Sequence, residues 1–113
     1  MISPVFFGFG TDIVYAPGQL KMKVDITFSG PLAPYAGIER ARIELPEIAC
    51  FGDLLSEVGR RYGSNMPPLI WDAARCRFTH HVLVMKGLKH LTDLKEPLNN
   101  EEEIKFFLVM LGG

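Results

Sequence analysis

The chain has 113 residues, 48% of them hydrophobic and 22% charged, with a formal net charge of −1. That length fits one domain with enough chain to bury a core without staples. A charge so near balance supplies no overall field to draw the molecule onto nucleic acid or an anionic membrane.

Residues 1–21 are broken by Gly8, Gly10, Pro17 and Gly18 and read as an irregular N-terminal extension, with a short strand at Asp12–Ala16. Their apolar start lacks the basic flank and small-residue cleavage site of a secretory signal, and falls short of the roughly 20 residues of a membrane span. A soluble cytoplasmic protein is therefore expected. Gly8-Phe9-Gly10 has neither the third glycine nor the strand–helix context of a dinucleotide site.

Met22–Phe28 alternates strictly: Met22, Val24, Ile26 and Phe28 on one side, Lys23, Asp25 and Thr27 on the other. This is the pattern of a half-buried strand. Ser29–Gly37, with two prolines and two glycines, reads as a loop. Ile38–Leu45 alternates again and Pro46 ends it. At Phe51–Tyr62 the period changes: Phe51, Leu54, Leu55, Val58 and Tyr62 fall on one helical stripe. Asp53 in the first turn and Arg60 and Arg61 in the last suit the helix dipole. Gly63 fits the C′ position. Gly52 and Gly59 each cost the helix about 1 kcal/mol relative to alanine, so packing must hold it.

Ser64–Pro68 reads as a loop, and Leu69–Arg77 fits more than one state, with Trp71 on the sheet edge. Phe78–Met85 reads as one strand with Phe78, His80, Val82 and Val84 on a common face. Lys86-Gly87 is a turn, Leu88–Leu98 is short and irregular, and Asn99–Glu103 is a polar turn. Ile104–Leu111 is apolar except for Lys105, the pattern of a central strand buried on both faces. The order, β-β-α-β-(short β)-β, gives an α+β fold: a mixed four- to five-stranded sheet with one main helix across one face, and the last strand central beside the first.

Few side-chain groupings suggest chemistry. Adjacent His80 and His81 would point to opposite faces of a strand, and His90 adds no matched spacing, so no metal site is expected. Glu101-Glu102-Glu103 reads as a solvated turn that blunts a sheet edge. Arg40, Arg42, Arg75 and Arg77 could gather as an anion patch or simply face water. Cys50 and Cys76 lack CxxC spacing and are expected as free thiols.

The remaining feature is Leu111-Gly112-Gly113 at the end of the apolar run. Two residues without a Cβ make a tail thin enough to thread a narrow active site. That suits a chain whose own terminal carboxylate reacts. The two glycines alone fit equally well a strand that happens to end there.

From Met22 onward the chain resembles the ubiquitin-like sulfur carriers of the MoaD/ThiS family, which include the small subunit of molybdopterin synthase. Met22-Lys23-Val24-Asp25-Ile26-Thr27-Phe28 is similar to the family's first strand, and Leu32-Ala33-Pro34-Tyr35-Ala36-Gly37 to its following loop. Phe51-Gly52-Asp53-Leu54-Leu55 with Arg61-Tyr62-Gly63 is similar to its helix. Val82-Leu83-Val84-Met85-Lys86-Gly87 sits where the family has a strand ending in Asn-Gly. Leu98 to Ile104 with Leu111-Gly112-Gly113 resembles the closing strand and diglycine tail. Lys86 departs from the usual Asn, Asn99-Asn100-Glu101 from the usual Gly-Asp turn, and Phe107-Leu108-Val109-Met110 lacks the common prolines. Ser64 to Arg77 is longer than in the thiamine carriers, which favours the molybdopterin branch.

The resemblance implies a ubiquitin-like β-grasp domain over residues 22–113 and a carrier rather than an enzyme. An adenylyltransferase of the ubiquitin-activating type would use ATP to activate the Gly113 carboxylate. A persulfide donor would convert it to a thiocarboxylate, and a molybdopterin synthase large subunit or equivalent acceptor would take the sulfur. Gly112 would deliver the tail, and Val109, Met110 and Leu111 would bind the partner, as extended peptides dock alternate side chains into pockets; those three could equally be core strand. No cofactor is expected on the chain itself. The resemblance leaves open a thiamine-pathway carrier and a modifier conjugated to protein lysines through Gly113. A β-grasp binding module that is never activated also remains.

Overall fold

The computed structural model describes residues 21–109. The expected extension with its strand at Asp12–Ala16, and the tail residues Met110, Leu111, Gly112 and Gly113, lie outside the described residues.

Strand β1 (Lys21–Ser29) pairs antiparallel with β2 (Arg40–Pro46) and parallel with β7 (Glu102–Leu108). On the other side, β7 pairs antiparallel with β5 (Val82–Lys86), and β5 with the two-residue β6 (Lys89–His90). The sheet order is β2-β1-β7-β5-β6, which places the last strand centrally beside the first, as expected. The main helix α2 (Phe51–Tyr62) has the limits that its periodicity predicts. A mixed five-stranded sheet with one long helix on one face is the ubiquitin-like β-grasp arrangement.

Burial alternates along the strands because α2 covers only one face. Met22, Val24, Ile26 and Phe28 of β1 point inward with Ile43 and Leu45 of β2, Val82 and Val84 of β5, and Ile104 and Phe106 of β7. They meet Phe51, Leu54, Leu55 and Val58 of α2. Phe106 lies at the centre, its ring 5.2 Å from that of Phe28 and 4.8 Å from that of Phe78. Among the described residues no polar or charged side chain is buried. The core is therefore held by area burial, at about 25 cal/mol per Å² of apolar surface.

Several expectations are corrected. The Ser29–Gly37 loop contains a 3-10 turn at Gly30–Leu32 and a short helix α1 (Ala33–Ala36), which sink Leu32 and Ala36 into the core. Gly37, at φ 84°, ends α1 in the left-handed conformation that glycine tolerates. The single strand expected over Phe78–Met85 is two. β4 (Arg77–Phe78) pairs with β3 (Trp71–Asp72) in a separate hairpin, and β5 starts only at Val82. Between them the Thr79 hydroxyl accepts the His81 N–H, and the Val82 N–H donates to the Thr79 carbonyl. Phe78 and Val82 keep the same parity across this turn, so period-two reading passes straight through it.

The final strand is also different from its expectation. It starts at Glu102, inside the supposed turn, and only Ile104 and Phe106 are fully enclosed; Phe107, Leu108 and Val109 are half-buried. Among the described residues no helix lies over one face of the sheet, and the strand is enclosed on the other. The turn before it uses Glu101 at φ 63°, while the Asn100 side chain accepts the Lys23 N–H at 2.9 Å. Asn99-Asn100-Glu101 thus makes the turn without a glycine.

Gly63 is not a left-handed C′ residue. Its φ is −59° and the chain runs on into a 3-10 turn. Its role is steric. The Trp71 indole lies along α2 instead of on the sheet edge: a Cβ on Gly59 would come 2.7 Å from Trp71 Cζ2, and one on Gly63 3.0 Å from Trp71 Nε1. The glycines that weaken α2 form the slot for that indole.

Candidate functional site

The tail residues follow β7 in the sequence, so the site is built from the end of that strand. The Val109 N–H donates to the His81 carbonyl at 2.6 Å. Val109 is the first residue after the strand, and the Thr79–His81 turn anchors it. This fixes the position of the last described residue. The strand alternation continues past Phe107 to Val109, which is half-buried and belongs to neither the ladder nor the enclosed core. Of the proposed tail residues it alone is among those described.

The uncovered face of the sheet is graded along its length. The row nearest Val109 joins Ser29, Phe107 and Leu83. The next joins Arg40, Thr27, Lys105, Met85 and His90. Further from Val109, Asp25 lies between Arg42 and Glu103. Arg42 donates to Asp25 at 2.9 Å and also pairs with Glu101. Its guanidinium holds the Asp25 carboxyl below the usual carboxylate range. The open face is thus apolar near Val109 and charge-paired at the opposite end.

Among the described residues, two concavities lie beside Val109 and His81. One, of about 480 Å³, has Phe51, Leu55, Val84, Leu91 and Val109 among its walls. The other, of about 550 Å³, is lined by Pro68, Leu69 and Phe78 together with Arg75, Arg77, His80 and His81. The four arginines considered as one patch are therefore divided: Arg40 and Arg42 stand on the edge strand β2, and Arg75 and Arg77 on the β3–β4 hairpin.

His80 and His81 do not point to opposite faces of a strand; they sit in a turn with ring centroids 4.1 Å apart. Among the described residues no three His, Cys, Asp or Glu side chains gather as a metal site. Cys50 and Cys76 are unpaired thiols, each half-buried. Cys50 precedes α2, where its N–H donates to Asp53 Oδ2 at 2.9 Å. Glu102 and Glu103, expected in a turn, are strand residues. No described helix is long and apolar enough to cross a membrane.

Sequence reasoning missed the Thr79–His81 anchor and the cation-lined hollow beside it. The anchor depends on the pairing of His81 with Val109 across 28 residues of chain, a contact with no periodic signature, and the hollow on the pairing of β3 with β4.

No protein-family model matches the sequence, and no curated protein matches it. Solved structures do. The chain is similar to SAMP1 from Haloferax volcanii, at 20% identity and TM-score 0.66, over 80% of this chain and 99% of that one. It is similar to Urm1 from Trypanosoma brucei, at 15% identity and TM-score 0.64, over 82% and 97%. A Pyrococcus furiosus protein provisionally described as molybdopterin converting factor, subunit 1, matches at 21% identity and TM-score 0.61, over 79% and 99%. The likeness establishes the fold, and it is the one the residue resemblance implied: a ubiquitin-like β-grasp.

Proposed function

We propose that the chain is a sulfur carrier whose reactive group is the C-terminal carboxylate of Gly113, serving molybdopterin-type cofactor synthesis. The observation that carries the reading is the path of β7. A central strand, held on both sides by β1 and β5, ends at Leu108, and the Val109 amide after it is held by the His81 carbonyl, four positions before Gly113 in the sequence. A hydrogen-bonded sheet followed by a short tail would deliver the Gly113 carboxylate to a partner's active site with little entropy left to lose.

The chemistry follows from the group. Attack of the Gly113 carboxylate on ATP forms an acyl-adenylate and releases pyrophosphate. A persulfide sulfur on a donor protein then attacks the activated carbonyl and displaces AMP. A second thiol breaks the resulting S–S bond, forming a disulfide with the donor and freeing the thiocarboxylate. That sulfur is the nucleophile passed to a cofactor precursor on an acceptor subunit. Gly112 and Gly113 keep side chains out of the adenylating cleft, and Val109, Met110 and Leu111 contact its walls. The chain is a cosubstrate in this scheme, and the cytoplasm is the compartment that suits a thiocarboxylate.

Intact-mass spectrometry after incubation with the cognate adenylyltransferase, ATP and a sulfur donor tests the proposal. Exchange of one oxygen for sulfur at Gly113 is expected; its absence overturns the carrier reading. A second reading has its own support, since one similar structure is named small archaeal modifier protein 1. In that case the same activated carboxylate forms an amide with a protein lysine. Lysine-linked remnants of the tail in a cell lysate, without free thiocarboxylate, would favour it.

A further inference from the structure

The β3–β4 hairpin has no part in the scheme so far, yet it stands beside Val109. Trp71 and Phe78 anchor it, packed edge to face with ring centroids 5.0 Å apart, and Trp71 fills the glycine slot of α2. The hollow under the hairpin has an apolar wall of Pro68, Leu69 and Phe78, and a rim of Arg75, Arg77, His80 and His81. Its one carboxylate, Asp72, is already occupied: Arg75 Nη1 lies 3.2 Å from Oδ2, and the Arg75 N–H donates to Oδ1 at 3.1 Å. Arg77, like Arg40 on the edge strand β2, differs from the remaining arginines in having no counter-charge among the described residues. Arg42 pairs with Asp25 and Glu101, and Arg60 and Arg61 pair with Glu57. Among the described residues the Arg77 guanidinium has no ion pair and no hydrogen bond.

Distance makes this charge relevant. The four residues from Val109 to Gly113 reach about 14 Å at full extension. A partner that takes the Gly113 carboxylate into its active site must therefore bring the mouth of that site within about 14 Å of Val109. Val109 is bonded to His81, which lines this hollow, and Arg77 lines the neighbouring hollow together with Val109, so the hairpin stands within the partner's reach. We infer that Arg77, supported by Arg75, docks against an acidic rim around the partner's active-site mouth and sets the register in which the tail enters. The inference rests on the proposed role of Gly113. Charges at the edge of such an interface act mainly on encounter rate and orientation and are screened by salt.

The test is ATP–pyrophosphate exchange by the cognate adenylyltransferase, with the full chain titrated as cosubstrate at two salt concentrations. Arg77→Glu should raise the KM for the chain by about tenfold, with kcat and the KM for ATP unchanged. Arg77→Gln should give a smaller rise, and the wild-type KM should climb with salt more steeply than that of either variant. Lys23→Glu makes the same charge change beside the start of β7 and should alter the KM less than about twofold. Melting temperatures measured alongside separate lost docking from lost folding. An unchanged KM for Arg77→Glu, or an equal rise in Lys23→Glu, overturns the docking inference while leaving the carrier reading intact. A rise in the KM for ATP instead would mean that the hollow holds the nucleotide, which also overturns it. No exchange with the wild-type chain overturns the carrier reading, and the docking inference falls with it.

Discussion

Gly59 and Trp71 are fitted to one another: a Cβ on the glycine would stand 2.7 Å from Cζ2 of the indole. Gly59→Ala should therefore destabilise the domain by about 1–3 kcal/mol, although alanine gains about 1 kcal/mol of helix propensity. Chemical denaturation followed by Trp71 fluorescence measures it. A variant as stable as the parent would show that the indole moves aside freely.

On the outer face of α2, Arg60 and Arg61 hold the Glu57 carboxyl down to about 2, from an ordinary 4.5. A depressed folded-state value means the pairing contributes above the unfolded value and is lost as pH falls toward 2. Glu57→Gln should cost about 0.5–1 kcal/mol at pH 7, the size of a partly exposed helical pair. The difference from the parent should shrink between pH 4.5 and 2. Parallel stability curves across that window would refute the assignment.

The start of α2 is closed by a distant loop. The Phe51 N–H donates to the Glu96 carbonyl at 2.9 Å and the Gly52 N–H to the Leu94 carbonyl at 2.8 Å, satisfying donors a helix start leaves without partners. Lys86 and Lys89 hold the Glu96 carboxylate at 3.1 and 2.8 Å and lower its pKa. Glu96→Ala should thus speed hydrogen exchange at the Phe51 and Gly52 amides while leaving the β1 and β7 amides protected. Unchanged exchange at Phe51 would mean that the side chain does not hold the loop.

One residue appended after Gly113 should abolish adenylation and sulfur transfer with no change in melting temperature, because it replaces the reacting carboxylate by an amide and leaves the described core intact. Normal transfer by the extended chain would refute the terminal mechanism. Leu111→Asp tests the apolar approach: weaker partner binding at unchanged melting temperature supports a groove contact, and unfolding supports a core position.

The local pattern determined a great deal. Alternation in Met22–Phe28 and the helical stripe of Phe51–Tyr62 located β1 and α2 because each element buries one face against a single core, and that demand is written at fixed periods. The apolar run from Ile104 likewise marked the central strand, and the final glycines directed attention to the tail. Only the tertiary structure decided what depends on residues distant in sequence. Gly59 and Gly63 read as helix weaknesses until Trp71 fills the space above them. Phe78 and Val82 read as one strand because a turn of matching parity hides between them. Val109 is held where it is because the His81 carbonyl is brought to its amide, and a single non-local hydrogen bond leaves no period for a sequence to display.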